Sequence, residues 1–184
     1  MIGNDIVDLN LAETESNWQR EGFLKKQFTK KEQTLILKAK DSFETVWKLW
    51  SMKEAAYKIW VQQNKKRIFA PQKFECELYE IDEGVVSIQD QKYYTYSHLN
   101  EFFIHTKASL QKDLKIYSEI GSPFGIDDRI KKKLEKDTGI LASEISQRKT
   151  VHGVPSYYHK NKPLTKSCSI SHHGNYGAFS LILI

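Results

Sequence analysis

Cysteine is scarce: Cys76 and Cys168 are the only two in 184 residues. Two thiols so placed give neither a disulfide framework nor a metal-ligand spacing. They are expected to be free thiols in a reducing compartment, and the expected location is the cytoplasm. Long apolar runs are missing too. None reaches the roughly 18 residues needed to cross a bilayer, and no basic-then-apolar leader precedes Gly3, Asn4, Asp5 and Asp8. No membrane partner is expected. Low-complexity segments and short repeats are absent. Charge is nearly balanced, with 28 Lys+Arg against 23 Asp+Glu and a net +5. That surplus attracts anions. The runs Lys65-Lys66-Arg67 and Lys131-Lys132-Lys133 come with no nucleic-acid-binding motif, so nucleic acid is not an expected partner. What is present is globular: 40% apolar and 28% charged residues, in a chain long enough for one domain or two packed lobes.

The pattern predicts an α+β fold. Met1 to Leu9 reads as a short strand, and residues 11 to 27 as a weak helix. Thr29 with Glu32 three residues on has capping-box spacing, predicting a helix to about Lys40. Asp41 or Ser42 caps a longer helix carrying Val46 to Gln62. From Phe74 the period falls to two. Four short strands are expected as an antiparallel meander: 74–79, 85–88, 92–96 and 102–106, with a turn at Asp82-Glu83-Gly84. Gly121-Ser122-Pro123-Phe124-Gly125 punctuates the chain. A basic helix over 126–136 follows, then extended chain at 151–158 and strands at 167–170 and 177–184. A turn is expected at His173-Gly174-Asn175.

The helix over 46–61 is apolar around more than half of its circumference. Leu49, Met52, Ala56, Ile59 and Trp60 share one face, and Trp50, Tyr57 and Val61 a second. Glu54 and Lys58 lie beside the second face. A carboxylate there must be paired, hydrogen-bonded or metal-bound, since a bare buried charge costs several kcal/mol. An ordinary Glu-to-Lys helix pair accounts for the spacing. So does a half-site for magnesium, a cation that takes oxygen ligands, completed by Asp5 on the first strand. Ser169-Ile170-Ser171-His172-His173-Gly174-Asn175 reads as a polar hairpin turn or as a phosphate cradle of hydroxyl, imidazole and turn N–H groups. No Cys or His stands at zinc-ligand spacing from its histidines.

Several of these segments together resemble the 4'-phosphopantetheinyl transferase superfamily. Gly3-Asn4-Asp5 resembles its Gly-x-Asp strand motif. Trp50-Ser51-Met52-Lys53-Glu54-Ala55-Ala56-Tyr57-Lys58 resembles its Trp-x-x-Lys-Glu-x-x-x-Lys helix motif. Phe28 and Glu32 fit the Phe-x-x-x-Glu element between them. Gly153-Val154-Pro155 and Ile170-Ser171-His172 resemble its Gly-Lys-Pro and Ile-Ser-His elements. The resemblance implies transfer of the 4'-phosphopantetheine arm of coenzyme A to a serine of an apo acyl or peptidyl carrier protein, releasing 3',5'-adenosine bisphosphate. It implies magnesium on Asp5 and Glu54, and Glu54 and Lys58 as catalytic residues. Coenzyme A contacts are implied for Lys53, Lys58, Gly153, Pro155, Ser171 and His172. The basic runs would meet the acidic carrier. A degenerate member that binds carrier or coenzyme without catalysis is the alternative.

Two positions depart from the family pattern. Val7 stands where two-lobed members have a third acidic ligand, and Val154 stands where Gly-Lys-Pro has its lysine. Asp8 should point to the opposite sheet face from Asp5, and Arg148, Lys149 or His152 are candidates to replace the lysine. The order of motifs, Gly-x-Asp first and Ser-His last, is that of the single-lobed, trimeric holo-acyl carrier protein synthases of fatty acid biosynthesis. The length exceeds theirs. A metal-binding lobe over 1–112 and a second lobe over 113–184 are therefore expected, as a monomeric pseudo-dimer with Ile184 near Met1, or else a trimer.

Overall fold

A computed structural model describes all 184 residues. Its centre is a pairing of β1 (Ile2–Asp8) with the long helix α4 (Ser42–Asn64). Between them the chain forms α1 (Leu9–Glu15), α2 (Phe23–Gln27) and α3 (Lys30–Lys38). The single weak helix expected over 11–27 is thus two short ones. Asp8 caps the first through Leu11 N–H, and Gly22, at φ 79°, starts the second. The capping box on α3 is present in both directions: Thr29 Oγ accepts from Glu32 N–H, and the Glu32 carboxylate accepts from Thr29 N–H. Asp41 caps α4 by accepting from Glu44 N–H.

The meander forms as expected. β2 (Glu75–Leu78), β3 (Glu83–Ile88), β4 (Gln91–Leu99) and β5 (Phe103–Ser109) join β1 in an antiparallel sheet ordered β1-β5-β4-β3-β2. Helix α4 lies on one face of this sheet. Its Val46, Leu49, Met52, Ala56 and Ile59 are fully buried in an apolar cluster of 21 residues with Val86, Tyr93, Ile104 and Ala108. The remaining strands build two small antiparallel sheets. β6 (Tyr117–Gly121), β10 (Thr165–His173) and β11 (Tyr176–Leu183) form one, ordered β10-β11-β6; β7 (Ile145–Lys149), β8 (Pro155–His159) and β9 (Lys162–Pro163) form the other. The strands β6 and β7 were not expected from the sequence. Each is five residues long and mostly exposed or half-buried, so neither carries the alternating apolar signal on which strand reading depends. Helix α5 (Ile126–Thr138) buries Ile130 and Leu134 in a separate cluster of eight residues, drawn from positions 126–181. The 21-residue cluster lies wholly within positions 7–108. The chain therefore has two apolar centres, of which the first is the larger.

Strand β1 is an edge strand of its sheet, and its free edge is closed in an unusual way. The N–H groups of Ile2, Asn4 and Asp8 donate to Ser167 Oγ (3.1 Å), Ser169 Oγ (2.9 Å) and His173 Nδ1 (2.9 Å) of β10. Gln62 Nε2 of α4 donates to Ile2 O at 2.9 Å, and Lys58 Nζ to Asn4 O at 2.5 Å. The edge polar groups are thus satisfied by side chains from two other elements rather than by another backbone, and this protects the edge from pairing with a foreign strand. The start of β1 consequently lies beside Ser167, which faces Ile182 in the β10–β11 register.

Gly3 permits the close approach of β1 to α4. A Cβ there would lie 2.0 Å from Ala55 O, a backbone atom that cannot move aside. Gly3→Ala is expected to destabilise the fold by about 1–3 kcal/mol through overpacking and to push Asp5 off α4. Chemical denaturation measures this. A loss within experimental error would show that the strand and helix separate freely.

Candidate active site

Residues alternate across β1, so Gly3, Asp5 and Val7 face α4 while Asn4, Ile6 and Asp8 face the other way. One step beyond the Gly3 contact, Asp5 meets the middle of α4. Its Oδ1 lies 3.5 Å from Lys58 Nζ, with the carboxylate side chain 15% and the lysine 29% exposed. Lys58 also reaches Ile170 O of β10 at 3.4 Å. The helix pair expected as the ordinary alternative, Glu54 with Lys58, is not among the ion pairs; Lys58 turns to Asp5 instead.

The electrostatics show that the two carboxylates share one environment. Burial, and then the Asp5 charge, push the Glu54 carboxyl up to about 7 against the pull of Lys58. Burial likewise raises Asp5, opposed first by Lys58 and more weakly by His173. The Ser51 hydroxyl, one turn before Glu54, lies close enough to favour the charged form of Asp5 but makes no hydrogen bond of good geometry. Two carboxylates with one ammonium leave an uncompensated negative charge in a half-dry site, the condition a divalent cation relieves. Asp5 and Glu54 offer two carboxylates of the oxygen-donor type such an ion takes. No group of three or more His, Cys, Asp and Glu side chains is placed to hold a metal ion. Val7 belongs to the apolar core at 4% exposure. Asp8, on the opposite face, caps α1 and accepts from Asn175 N–H at 3.0 Å.

Two cavities, of about 380 and 290 Å³, open around Glu54, and both are also lined by Tyr57 and Arg67. The larger is walled by Ile68, Phe69, Pro71 and Phe74. The smaller lies between α4 and the second half of the chain, lined by Lys58, Gln62, His152, Gly153, Val154 and Pro155. A third cavity, of about 270 Å³, lies against β4, β5 and residues 111–116 and contains none of the expected site residues.

The structure thus brings Asp5, Glu54 and Lys58 together and places Gly153 and Pro155 across the smaller cavity. Of the other expected site residues, Lys53 lines the larger cavity and Ser171 and His172 line neither. Lys53 is 2% exposed. Its ammonium donates to Glu32 Oε2 at 2.8 Å and to Pro71 O at 3.0 Å, and sits 5.2 Å over the Phe28 ring. Phe28, Glu32 and Lys53 therefore form one buried assembly, in which the Lys53 ammonium is held by an internal ion pair while its side chain also lines the larger cavity. Ser171 and His172 do not share a face. Ser171 is buried with an unpartnered hydroxyl, while His172 is exposed. Neither lines the two cavities at Glu54. The residues missed by the sequence reading are Tyr57 and Arg67. Tyr57, three positions after Glu54 on its helix, was legible as a neighbour; Arg67 was read only as part of a basic run.

The raised Glu54 carboxyl has a consequence for stability. An acid whose folded pKa lies above its unfolded value is protonated more in the folded state. It therefore lowers stability as pH rises, here from about 4.5 to about 7. Buried His105, pushed down to about 3, acts with the opposite sign over the lower part of that window. The difference between wild type and Glu54→Gln isolates the glutamate. Without added metal, the melting temperature of wild type relative to the variant is expected to fall between pH 5 and 7.5. A difference independent of pH would contradict the burial of Glu54.

The sequence profile of the 4'-phosphopantetheinyl transferase superfamily matches residues 1–116, a span that includes Asp5, Glu54 and Lys58. No curated protein matches the chain. Among solved structures, the crystal structure of Thermotoga maritima holo-acyl-carrier-protein synthase is similar at a TM-score of 0.47 and 14% identity, over 88% of this chain and 83% of that one. With well over half of its residues matched, including those that meet at α4 and β1, the chain belongs to the 4'-phosphopantetheinyl transferase superfamily.

Proposed function

We propose that this protein transfers the 4'-phosphopantetheine arm of coenzyme A to a serine of an apo acyl or peptidyl carrier protein, in the manner of the holo-acyl carrier protein synthases. The observation that carries the reading is the meeting of Asp5 with Lys58 and Glu54, of which Glu54 lines two cavities and Lys58 the smaller. In the reaction the carrier serine oxygen forms a bond to the β-phosphorus. The bond from that phosphorus to the bridging oxygen breaks, and 3',5'-adenosine bisphosphate leaves. A magnesium ion on Asp5 and Glu54 would neutralise charge on the pyrophosphate. Glu54 takes the serine proton directly or through a water. Lys58 supplies positive charge toward the leaving phosphate.

The smaller cavity, with Gly153 and Pro155 on its far wall, suits the nucleotide end of the coenzyme. Of the Ser171-His172 pair, the exposed imidazole is the member free to meet a phosphate. Because residues from both halves line this cavity, the reading favours a metal-binding lobe over 1–112 and a second lobe over 113–184 acting in one monomer. Sedimentation separates that from a trimer. The basic runs would meet the acidic carrier.

The test is incubation with coenzyme A, magnesium and each of several apo carriers, followed by intact-mass measurement of the carrier. One added arm supports the transferase. No mass change with any carrier counts against it, and coenzyme A binding without turnover would favour the non-catalytic reading that Val7 and Val154 motivate.

A further inference from the structure

Val154 leaves the smaller cavity without the lysine that the Gly-Lys-Pro element would place on its wall. Of the three candidates nearby in sequence, His152 lines the cavity and gives its backbone carbonyl to Arg67, while Arg148 and Lys149 lie away from it. Arg148 is stacked 4.4 Å from the Tyr158 ring and donates to Lys160 O and Asn161 Oδ1. Neither it nor Lys149 lines the cavity. The geometry points to Arg67 as the replacement. On the proposed transferase reading, its guanidinium binds a phosphate of coenzyme A at the Gly153-Val154 turn, and so a residue of the first half of the chain completes a phosphate site on the second.

Four observations support this. Arg67 lines both cavities beside Glu54. Its Nη2 donates to His152 O at 2.9 Å and lies 3.4 Å from where a Cβ on Gly153 would stand. It takes part in none of the ion pairs of the chain, so its charge is not compensated by protein. Its backbone is held: Lys65, at φ 53°, ends α4 in a left-handed turn, and Ile68 N–H donates to Tyr57 Oη at 3.2 Å. A guanidinium has five donors in a rigid fork. The bond to His152 O occupies one and leaves others for a charge-assisted contact to phosphate. The same side chain would then clamp the turn and read the ligand.

The test measures coenzyme A affinity by calorimetry alongside steady-state transfer. Arg67→Gln, at an exposed position, is expected to weaken coenzyme A binding about tenfold or more, the effect of losing one charge-assisted bond. KM for coenzyme A should rise with it while kcat changes little. Adding Val154→Lys to that variant should restore most of the affinity, because it returns a cation to the same wall. If Arg67 served only to clamp the turn through His152 O, a lysine at 154 would not compensate. Failure of that rescue, or unchanged affinity in Arg67→Gln, overturns the assignment while a transferring wild type keeps the activity. A wild type that neither binds coenzyme A nor transfers its arm removes both.

Discussion

On the proposed mechanism, Glu54→Gln is expected to reduce arm transfer by roughly 10³-fold or more, to the limit of detection, because it would remove both a ligand charge and the base from a site built on electrostatic stabilisation. The substitution keeps size and shape, so folding should survive. At neutral pH the variant should melt at or above the wild-type temperature, since the buried glutamate is costly in its charged form. Activity and stability therefore move independently, and this separates a catalytic loss from a damaged fold. The measurement is the intact mass of the carrier over time, paired with a melting curve. Retention of a tenth or more of wild-type activity would exclude Glu54 from the reaction centre. Asp5→Asn is expected to behave alike, though Asp5 also faces Lys58.

The second large effect concerns stability. Lys53→Met is expected to cost about 3–5 kcal/mol, the usual penalty for removing one partner of a buried ion pair. Lys53 and Glu32 are 2% and 1% exposed. The Glu32 carboxylate also accepts from Thr29 N–H at 2.7 Å and Cys76 N–H at 2.8 Å. One carboxylate thus joins the start of α3, the middle of α4 and the edge strand β2. Without Lys53 its charge stays buried among neutral donors. Urea unfolding measures the loss, and adding Glu32→Gln should recover part of it by removing the stranded charge. A cost below 1 kcal/mol would mean that water reaches Glu32. Because its ammonium is held by Glu32, Lys53→Met should change coenzyme A affinity less than it changes stability.

The elements that were legible are those with strong local signals. Thr29 and Glu32 marked a helix start because the two-way cap depends only on residues three apart. Helix α4 was legible in type and face because its apolar residues recur at helical spacing. The two-residue period after Phe74 marked the meander for the same reason. The failures were equally physical. The segment 11–27 lacks a continuous apolar stripe, and Gly22 breaks it. β6 exists because β11 offers it partners from Tyr117 to Gly121, a long-range pairing that no local window contains.

The candidate site divides in the same way. Asp5, Glu54 and Lys58 could be singled out as candidates from residue type and the resemblance of their motifs, because the helical repeat sets which groups share a face. What only the tertiary structure decided is which partner each takes. Lys58 turns to Asp5 instead of Glu54, Lys53 is held by Glu32, and Arg67 arrives at the Gly153 turn. Each partnership joins residues far apart in the chain. It is set by how closely β1 can approach α4 at Gly3 and by where β10 lies along the free edge of β1.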